Sequence, residues 1–360
     1  MGARESTPPP IALEGKRVLI IKLRYIGDTL SIIPVIENLH RRAPDAEVDV
    51  MVNRGTEEVL SHQPGIGRIW AYDRRAAKRS SWSSLSYHAR LIRELRARRY
   101  HAVVDFTHGD RAAFLSFSSG AHHRISYDRS SGLSKLLMNR FITADPSMMH
   151  IVDYQLLALK AFGLEAWMRE LRVIIPEPIR KAIDSTLGRL GFMNGGVNAA
   201  IHPGARGIWR QWPPERFAEV ARRLRSELGA RVLLLGGPAE GELVDSVERL
   251  MGFPAAYKST ALSLLSMAAL FSRCHIFLGN DSAPAHLAAA AGCPTLTLFG
   301  PTFPRMWRPF SESGDVIFKN VECCGCRQEI CIRPETSCMR LIEVDEVWER
   351  LRRMASGVGH

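Results

Sequence analysis

The segment Lys16-Arg17-Val18-Leu19-Ile20-Ile21-Lys22-Leu23 is a nearly unbroken apolar run. It passes through Arg24-Tyr25-Ile26-Gly27-Asp28-Thr29 into a helix spaced by Leu30, Ile33 and Leu39. A short apolar run without alternation reads as a strand covered on both faces, as in a parallel sheet. The same scheme continues outward. Glu47 to Val52 is a second strand, and a helix carrying Leu91, Ile92 and Leu95 precedes a strand at His101 to Phe106. The second half repeats it. Strands are expected at Val197–Ile201, Arg231–Leu235, His275–Leu278 and Thr295–Phe299, with helices at Pro214–Leu228, Gly241–Met251 and Pro284–Ala291 between them.

Strand–helix alternation of this kind predicts an α/β chain of two Rossmann-like, doubly wound parallel-sheet domains facing a central cleft. A length of 360 residues is enough for two such cores. The punctuation of Pro176 to Gly196 sets the expected boundary. The division is a flexible tail at 1–15, an N-terminal Rossmann-like domain at 16–175, a C-terminal Rossmann-like domain at 176–342, and a final helix and tail at 343–360. Met1 to Pro10 is polar and proline-rich without an apolar core, so it reads as a loose tail and not a signal peptide. No apolar run approaches the roughly 18–20 residues that span a bilayer. The expected location is therefore cytoplasmic.

Four segments carry candidate chemistry at the carboxyl ends of strands. Asp28 follows Gly27 where a helix opens, so it reads either as a helix N-cap or as a carboxylate aimed at a ligand. Ile201-His202-Pro203-Gly204-Ala205-Arg206, followed by Arg210-Gln211-Trp212-Pro213, is a small-residue turn with two arginines suited to a diphosphate. It also reads as a tight turn with surface arginines. Gly279-Asn280-Asp281-Ser282-Ala283-Pro284-Ala285-His286 leads into an alanine-rich helix, whose first amides suit an anion or simply a structural cap. Glu240, just past a strand, is placed to accept bonds from ribose hydroxyls.

In order, spacing and wording these segments resemble the lipopolysaccharide heptosyltransferase family, glycosyltransferase family 9, over roughly Lys16 to Arg350. The resemblance also takes in Leu298-Phe299-Gly300-Pro301-Thr302. It implies a GT-B fold and a metal-independent, inverting transfer of a heptose or similar sugar from an ADP-sugar donor to a lipopolysaccharide-core acceptor. By the same resemblance the domain at 16–175 binds the acceptor and the domain at 176–342 the nucleotide sugar; Asp28 is the catalytic base, with Arg24 and Gly27 on the acceptor side. Arg210 stands where members usually have a lysine on the donor phosphates. Glu240 holds the ribose. His202, Gly204, Arg206, Asn280, Asp281, Ser282, Ala283 and His286 surround the diphosphate and donor sugar. No cofactor is expected. A family member using another ADP- or GDP-sugar and a nucleotide-sugar epimerase on the same architecture stay open as alternatives.

The formal charge of +11, from 48 Lys and Arg against 37 Asp and Glu, points to an anionic partner. The excess concentrates between Asp73 and Tyr100, where nine basic residues face only Asp73 and Glu94. That stretch suits a phosphorylated lipid-linked glycan acceptor and transient attachment to an anionic inner-membrane surface. No basic–aromatic nucleic-acid module accompanies it. Cys274 and Cys293 read as buried small hydrophobes. Cys323, Cys324, Cys326, Cys331 and Cys338 crowd near the end; Cys323 and Cys326 have C-x-x-C spacing, so packed thiols, a facultative disulfide and a metal held with Cys331 and Cys338 remain open.

Overall fold

The computed structural model of the protein describes residues 9–78, 81–127, 132–326 and 330–356. The chain divides into two compact units at Glu170/Leu171. In the first, the strands are β1 (Arg17–Lys22), β2 (Glu47–Asn53), β3 (Ile66–Tyr72), β4 (Ala102–Asp105), β5 (His123–Tyr127) and β6 (Arg140–Ile142). The helices are α1 (Ile26–Leu30), α2 (Ile33–Arg42), α3 (Ser81–Ala97), α4 (Asp110–Ser118), α5 (Leu133–Leu137) and α6 (Ile151–Leu156). All six strands are parallel, in the order β3-β2-β1-β4-β5-β6. Val18 to Ile21 are fully buried in the middle of the sheet because helices cover both of its faces.

The second unit repeats this plan. It contains α7 (Glu177–Arg189), β7 (Asn198–His202), α8 (Pro214–Leu228), β8 (Arg231–Leu235), α9 (Gly241–Met251), β9 (Tyr257–Ser259) and α10 (Leu264–Phe271). It continues with β10 (Ile276–Asn280), α11 (Ala283–Ala290), β11 (Thr295–Phe299), α12 (Pro304–Trp307), β12 (Gly314–Phe318) and α13 (Val344–Ser356). Its parallel order is β12-β11-β10-β7-β8-β9. Counted within each unit, both sheets read 3-2-1-4-5-6. The order reverses between β1 and β4 and again between β7 and β10. At such a reversal the loops leaving the two central strands run apart and open a crevice beyond their carboxyl ends.

Three expectations need correcting. The start of the chain is not loose throughout: Ile11 and Leu13 are buried, and the Ile11 N–H donates to Ala161 O at 2.9 Å. Residues 1–8 lie outside the described residues. The segment Pro176 to Gly196 is not a plain linker, because it contains α7. Ile183 and Leu187 bury one face of that helix, and Arg273 grips Asp184 through Nε and a second guanidinium nitrogen at 2.7 and 2.8 Å. The final helix belongs to the second core, with Val347, Trp348 and Leu351 buried against the sheet and α8. Residues 357–360 lie outside the described residues.

Candidate functional site

In the first unit the chemistry gathers at the reversal between β1 and β4. Asp28 is the third residue of α1, and Tyr25 is the N-cap, so the expected N-cap role is not what Asp28 performs. Instead its Oδ2 accepts from the Tyr25 N–H at 3.4 Å, satisfying an amide the helix start leaves open. Its Oδ1 lies 3.1 Å from Lys22 Nζ, and the side chain keeps 15% exposure. A carboxylate held from behind and open in front is arranged to receive a proton.

Lys22 is the residue that sequence reasoning missed. It ends the apolar β1 and is only 3% exposed, yet it carries an ammonium. Nζ donates to Phe106 O at 3.1 Å and, with the Gln155 amide turned to satisfy both its ends, to Gln155 Oε1 at 3.1 Å. Burial lowers its pKa, and Asp28 acts against that by favouring the charged form. Asp105, fully buried at the end of β4, has its carboxyl pushed up to about 6 by burial. Its Oδ1 accepts from the Thr107 N–H at 2.7 Å. His108 follows with a φ of 57°, packed edge-on against Tyr127 at 5.1 Å, and burial brings its imidazole down to about 4. Arg24 donates to Thr107 O at 2.9 Å and, with Tyr25, Arg74 and Arg111, lines an open basic pocket beside this cluster. Gly27 is the second residue of α1.

In the second unit, two groups form at the reversal between β7 and β10. His202 ends β7, buried, with Nε2 3.4 Å from Glu240 Oε2. Burial lowers the His202 pKa, and the facing Glu240 pulls against that. Glu240 also accepts from the Gly237 N–H at 2.7 Å. A Cβ at Gly204 would overlap the Glu240 carboxylate, so glycine there lets the turn after β7 approach it.

The second group centres on Asp281, which is 6% exposed. Arg210 donates through one terminal nitrogen to Asp281 O at 2.8 Å and to its Oδ2, and the Thr302 hydroxyl donates to the same oxygen. Arg210 Nε is buried without a hydrogen-bond partner among the described residues. Asn280 is fully buried and spends its amide on structure: Oδ1 accepts from the Trp212 N–H at 3.0 Å, and Nδ2 donates to Pro203 O at 2.7 Å. It ties the two loops together. Ser282 is the N-cap of α11, its buried Oγ without a hydrogen-bond partner among the described residues, and Ala283 starts the helix. His286 lies half-buried one turn on, and Arg206 is exposed on the turn after β7.

The C-terminal cysteines line one pocket with Trp209 and Pro301, and the Gly325 N–H donates to Pro301 O at 2.8 Å. Burial, aided by neighbouring thiols, pushes Cys338 up to about 11, which keeps it a thiol. Among the described residues, no three His, Cys, Asp or Glu side chains are gathered so as to hold a metal ion. Cys274 and Cys293 are buried, with thiol pKa values raised by burial.

The model of glycosyltransferase family 9 (heptosyltransferase) matches residues 88–336. Lipopolysaccharide heptosyltransferase 3 of Escherichia coli is 30% identical over 295 residues, covering 81% of this chain and 85% of that protein. The chain belongs to glycosyltransferase family 9. The lipopolysaccharide core heptosyltransferase OpsX of Haemophilus influenzae is 25% identical, with 84% of each chain covered. Among solved structures, the family 9 glycosyl transferase of Veillonella parvula superposes with a TM-score of 0.84 at 22% identity, covering 97% of this chain and 99% of that one. The E. coli heptosyltransferase WaaC with ADP gives 0.73 at 21%, covering 94% and 100%. These likenesses establish the two-unit fold as GT-B. As a member of family 9 the protein is a glycosyltransferase.

Proposed function

We propose that the protein transfers a heptose from an ADP-heptose to a sugar of the lipopolysaccharide core, with inversion and without a metal. Family membership and the names of its relatives support a heptose as the sugar and lipopolysaccharide as the acceptor class, and solved heptosyltransferases of this fold with ADP or an ADP-heptose analogue support the nucleotide. The observation that carries the mechanism is the Asp28 carboxylate, fixed by Lys22 and the Tyr25 amide with one side open to solvent.

In this reading Asp28 takes the proton from an acceptor hydroxyl while that oxygen attacks the anomeric carbon. The C–O bond to the diphosphate breaks in the same displacement, and the configuration inverts. Arg210, Arg206 and the first amides of α11 beside Ser282 and Ala283 receive the charge that grows on the leaving diphosphate. Glu240 takes the ribose hydroxyls, with Gly204 giving it room and His202 backing it. Asp281 orients Arg210 and, with His286, meets the donor sugar. Positive charge from arginine and backbone here takes the part a divalent cation plays elsewhere. The basic stretch from Arg74 to Arg99 attaches the enzyme reversibly to the cytoplasmic leaflet, each cation contributing about 1 kcal/mol near an anionic surface. Arg79 of that stretch lies outside the described residues. Among the described residues no helix is long and apolar enough to cross a membrane.

The test is incubation with ADP-heptose and a heptose-deficient core acceptor. It should release ADP only when both are present and give a product of inverted anomeric configuration by NMR. Release of a free, altered nucleotide sugar without acceptor would refute the transferase reading. A panel of ADP- and GDP-sugars in the same assay identifies the donor, which the arginine at 210 leaves open.

A further inference from the structure

Helices α3, α4 and α5 pack side by side, with α4 in the middle and against β1 and β4 of the first sheet. Leu95, Ala112 and Leu115 point inward into its core. Their solvent side is unusually apolar. Trp82 is 83% exposed and Leu85 62% on α3; Phe114 and Phe117 are exposed on α4, as are Leu133 and Leu136 on α5, the last at 79%. Positions 82, 85, 89, 93 and 96 recur at helical spacing and are all exposed, so one stripe of α3 runs from Trp82 and Leu85 to Arg93 and Arg96. The three helices carry Arg90, Arg93, Arg96, Arg111 and Lys135 against Glu94 and Asp110. Glu94 is already engaged by Arg68 at 3.2 Å.

Large apolar side chains gathered on one water-facing layer mark a surface meant to be covered. The charge decides by what. A second copy would set one cationic face against another, whereas an anionic bilayer complements the cations and accepts the apolar side chains. Tryptophan and arginine flanking an apolar stripe is the pattern of helices that lie in the membrane–water interface.

We propose that the outer face of α3, α4 and α5 is a bilayer-docking surface. Trp82, Leu85, Phe114, Phe117, Leu133 and Leu136 enter the headgroup region, while the basic side chains meet anionic lipid. This deepens the peripheral attachment proposed above and rests on that reading. It adds an apolar component that salt does not remove, and it brings the pocket of Arg24, Arg74 and Arg111, at the amino end of α4, close to the lipid plane.

Cosedimentation with phosphatidylglycerol/phosphatidylcholine vesicles and with pure phosphatidylcholine vesicles, at low and high salt, tests it. The full-length protein should prefer the anionic vesicles and retain part of its binding at high salt. Trp82→Ala with Leu85→Ala should weaken that salt-resistant binding at least about tenfold. The double variant should keep its melting temperature and its turnover of detergent-dispersed acceptor. Unchanged high-salt binding by the double variant, with salt-sensitive binding intact, would overturn the apolar surface and leave the charge-based attachment standing. Absence of binding to either vesicle would overturn both. A concentration-dependent dimer that the double variant splits, seen by light scattering, would assign the face to a second copy instead.

Discussion

Replacing Lys22 with methionine keeps most of a buried aliphatic stem and deletes its ammonium. The ammonium is surrounded by Asp28 Oδ1, Phe106 O and Gln155 Oε1, each at 3.1 Å. Its loss removes a donor from two acceptors in a buried setting, each costing about 1–3 kcal/mol when left unsatisfied. It also strips the counter-ion from Asp28. Working the other way, the burial that depresses the Lys22 pKa is itself a cost, and methionine escapes it. The net loss expected is about 2–4 kcal/mol, toward the lower end of what breaking a buried ion pair costs, because Asp28 is partly solvated. For a unit of this size that corresponds to a melting shift of roughly 4–16 °C. Calorimetry on Lys22→Met, Asp28→Asn and the double variant completes a thermodynamic cycle. The Lys22→Met cost should shrink by about 1 kcal/mol or more when Asp28 is already neutral. Turnover should fall at least about tenfold in Lys22→Met, while the donor KM stays within about twofold, since the ammonium orients the base and the proposed donor groups are borne by the second unit. A melting temperature and kcat both unchanged would show that the pair neither stabilises the unit nor orients the carboxylate.

Asp28→Asn should abolish transfer, because an amide cannot take the proton. It should also cost about 1–2 kcal/mol, since Asn still accepts from the Tyr25 amide but leaves Lys22 facing a neutral group. Near-wild-type turnover would reduce Asp28 to a helix-start residue. Arg210→Ala should raise the donor KM strongly while EDTA leaves the wild-type rate intact; a rate that chelation collapses and magnesium or manganese restores would contradict the arginine-based reading. Asp105→Asn should show a pH signature. The folded pKa of about 6 lies above the ordinary 3.8, so the native state binds the extra proton between those values and loses stability as pH rises through them. Chemical unfolding should therefore find the variant gaining on the wild type from pH 4 to pH 7, by about 3 kcal/mol at most. His108, which titrates in the opposite sense, is present in both and cancels. A difference that does not change with pH would contradict the raised pKa.

The central strands were legible because burial on both faces leaves no charged residue inside them, only small threonines at Thr295 and Thr297. Arg231–Leu235 and Thr295–Phe299 appear in the structure with the expected ends. Strands nearer the edges are shorter or mixed in polarity. Ile66–Tyr72 interleaves Gly67 and Arg68 with apolar residues, and Arg140–Ile142 and Tyr257–Ser259 are three residues each, so no window of sequence separates them from loops. Helix α7 was missed for another reason. Pro176 and Pro178 stand at its start, and Gly188 and Gly191 at its end. Those residues bound a helix and do not interrupt it, and the spacing of Ile179, Ile183 and Leu187 was the signal that they enclose one.

The candidate site was legible where a motif is local and hidden where partners come from afar. Gly27-Asp28, the turn after His202 and the run from Asn280 to Ala283 each declare themselves within a few residues. Lys22 and Phe106 are 84 residues apart and meet only because β1 and β4 lie side by side, with Ile21 opposite Asp105. One signal was nonetheless present. The four strands flanking the two reversals end in Lys22, Asp105, His202 and Asn280, each at most 3% exposed. A polar group at the end of an apolar strand is costly to bury unless something meets it. Asp28 meets Lys22, the Thr107 amide meets Asp105, Glu240 meets His202, and Pro203 with Trp212 meets Asn280. Each partner belongs to a loop or helix start beyond the strand ends, so the buried polar residue fixes the geometry of the segment that carries chemistry. An ionisable or amide residue closing an apolar strand therefore marks where a doubly wound sheet reverses, and its partner in the loop or helix start beyond the strand ends is the first place to look for the functional group.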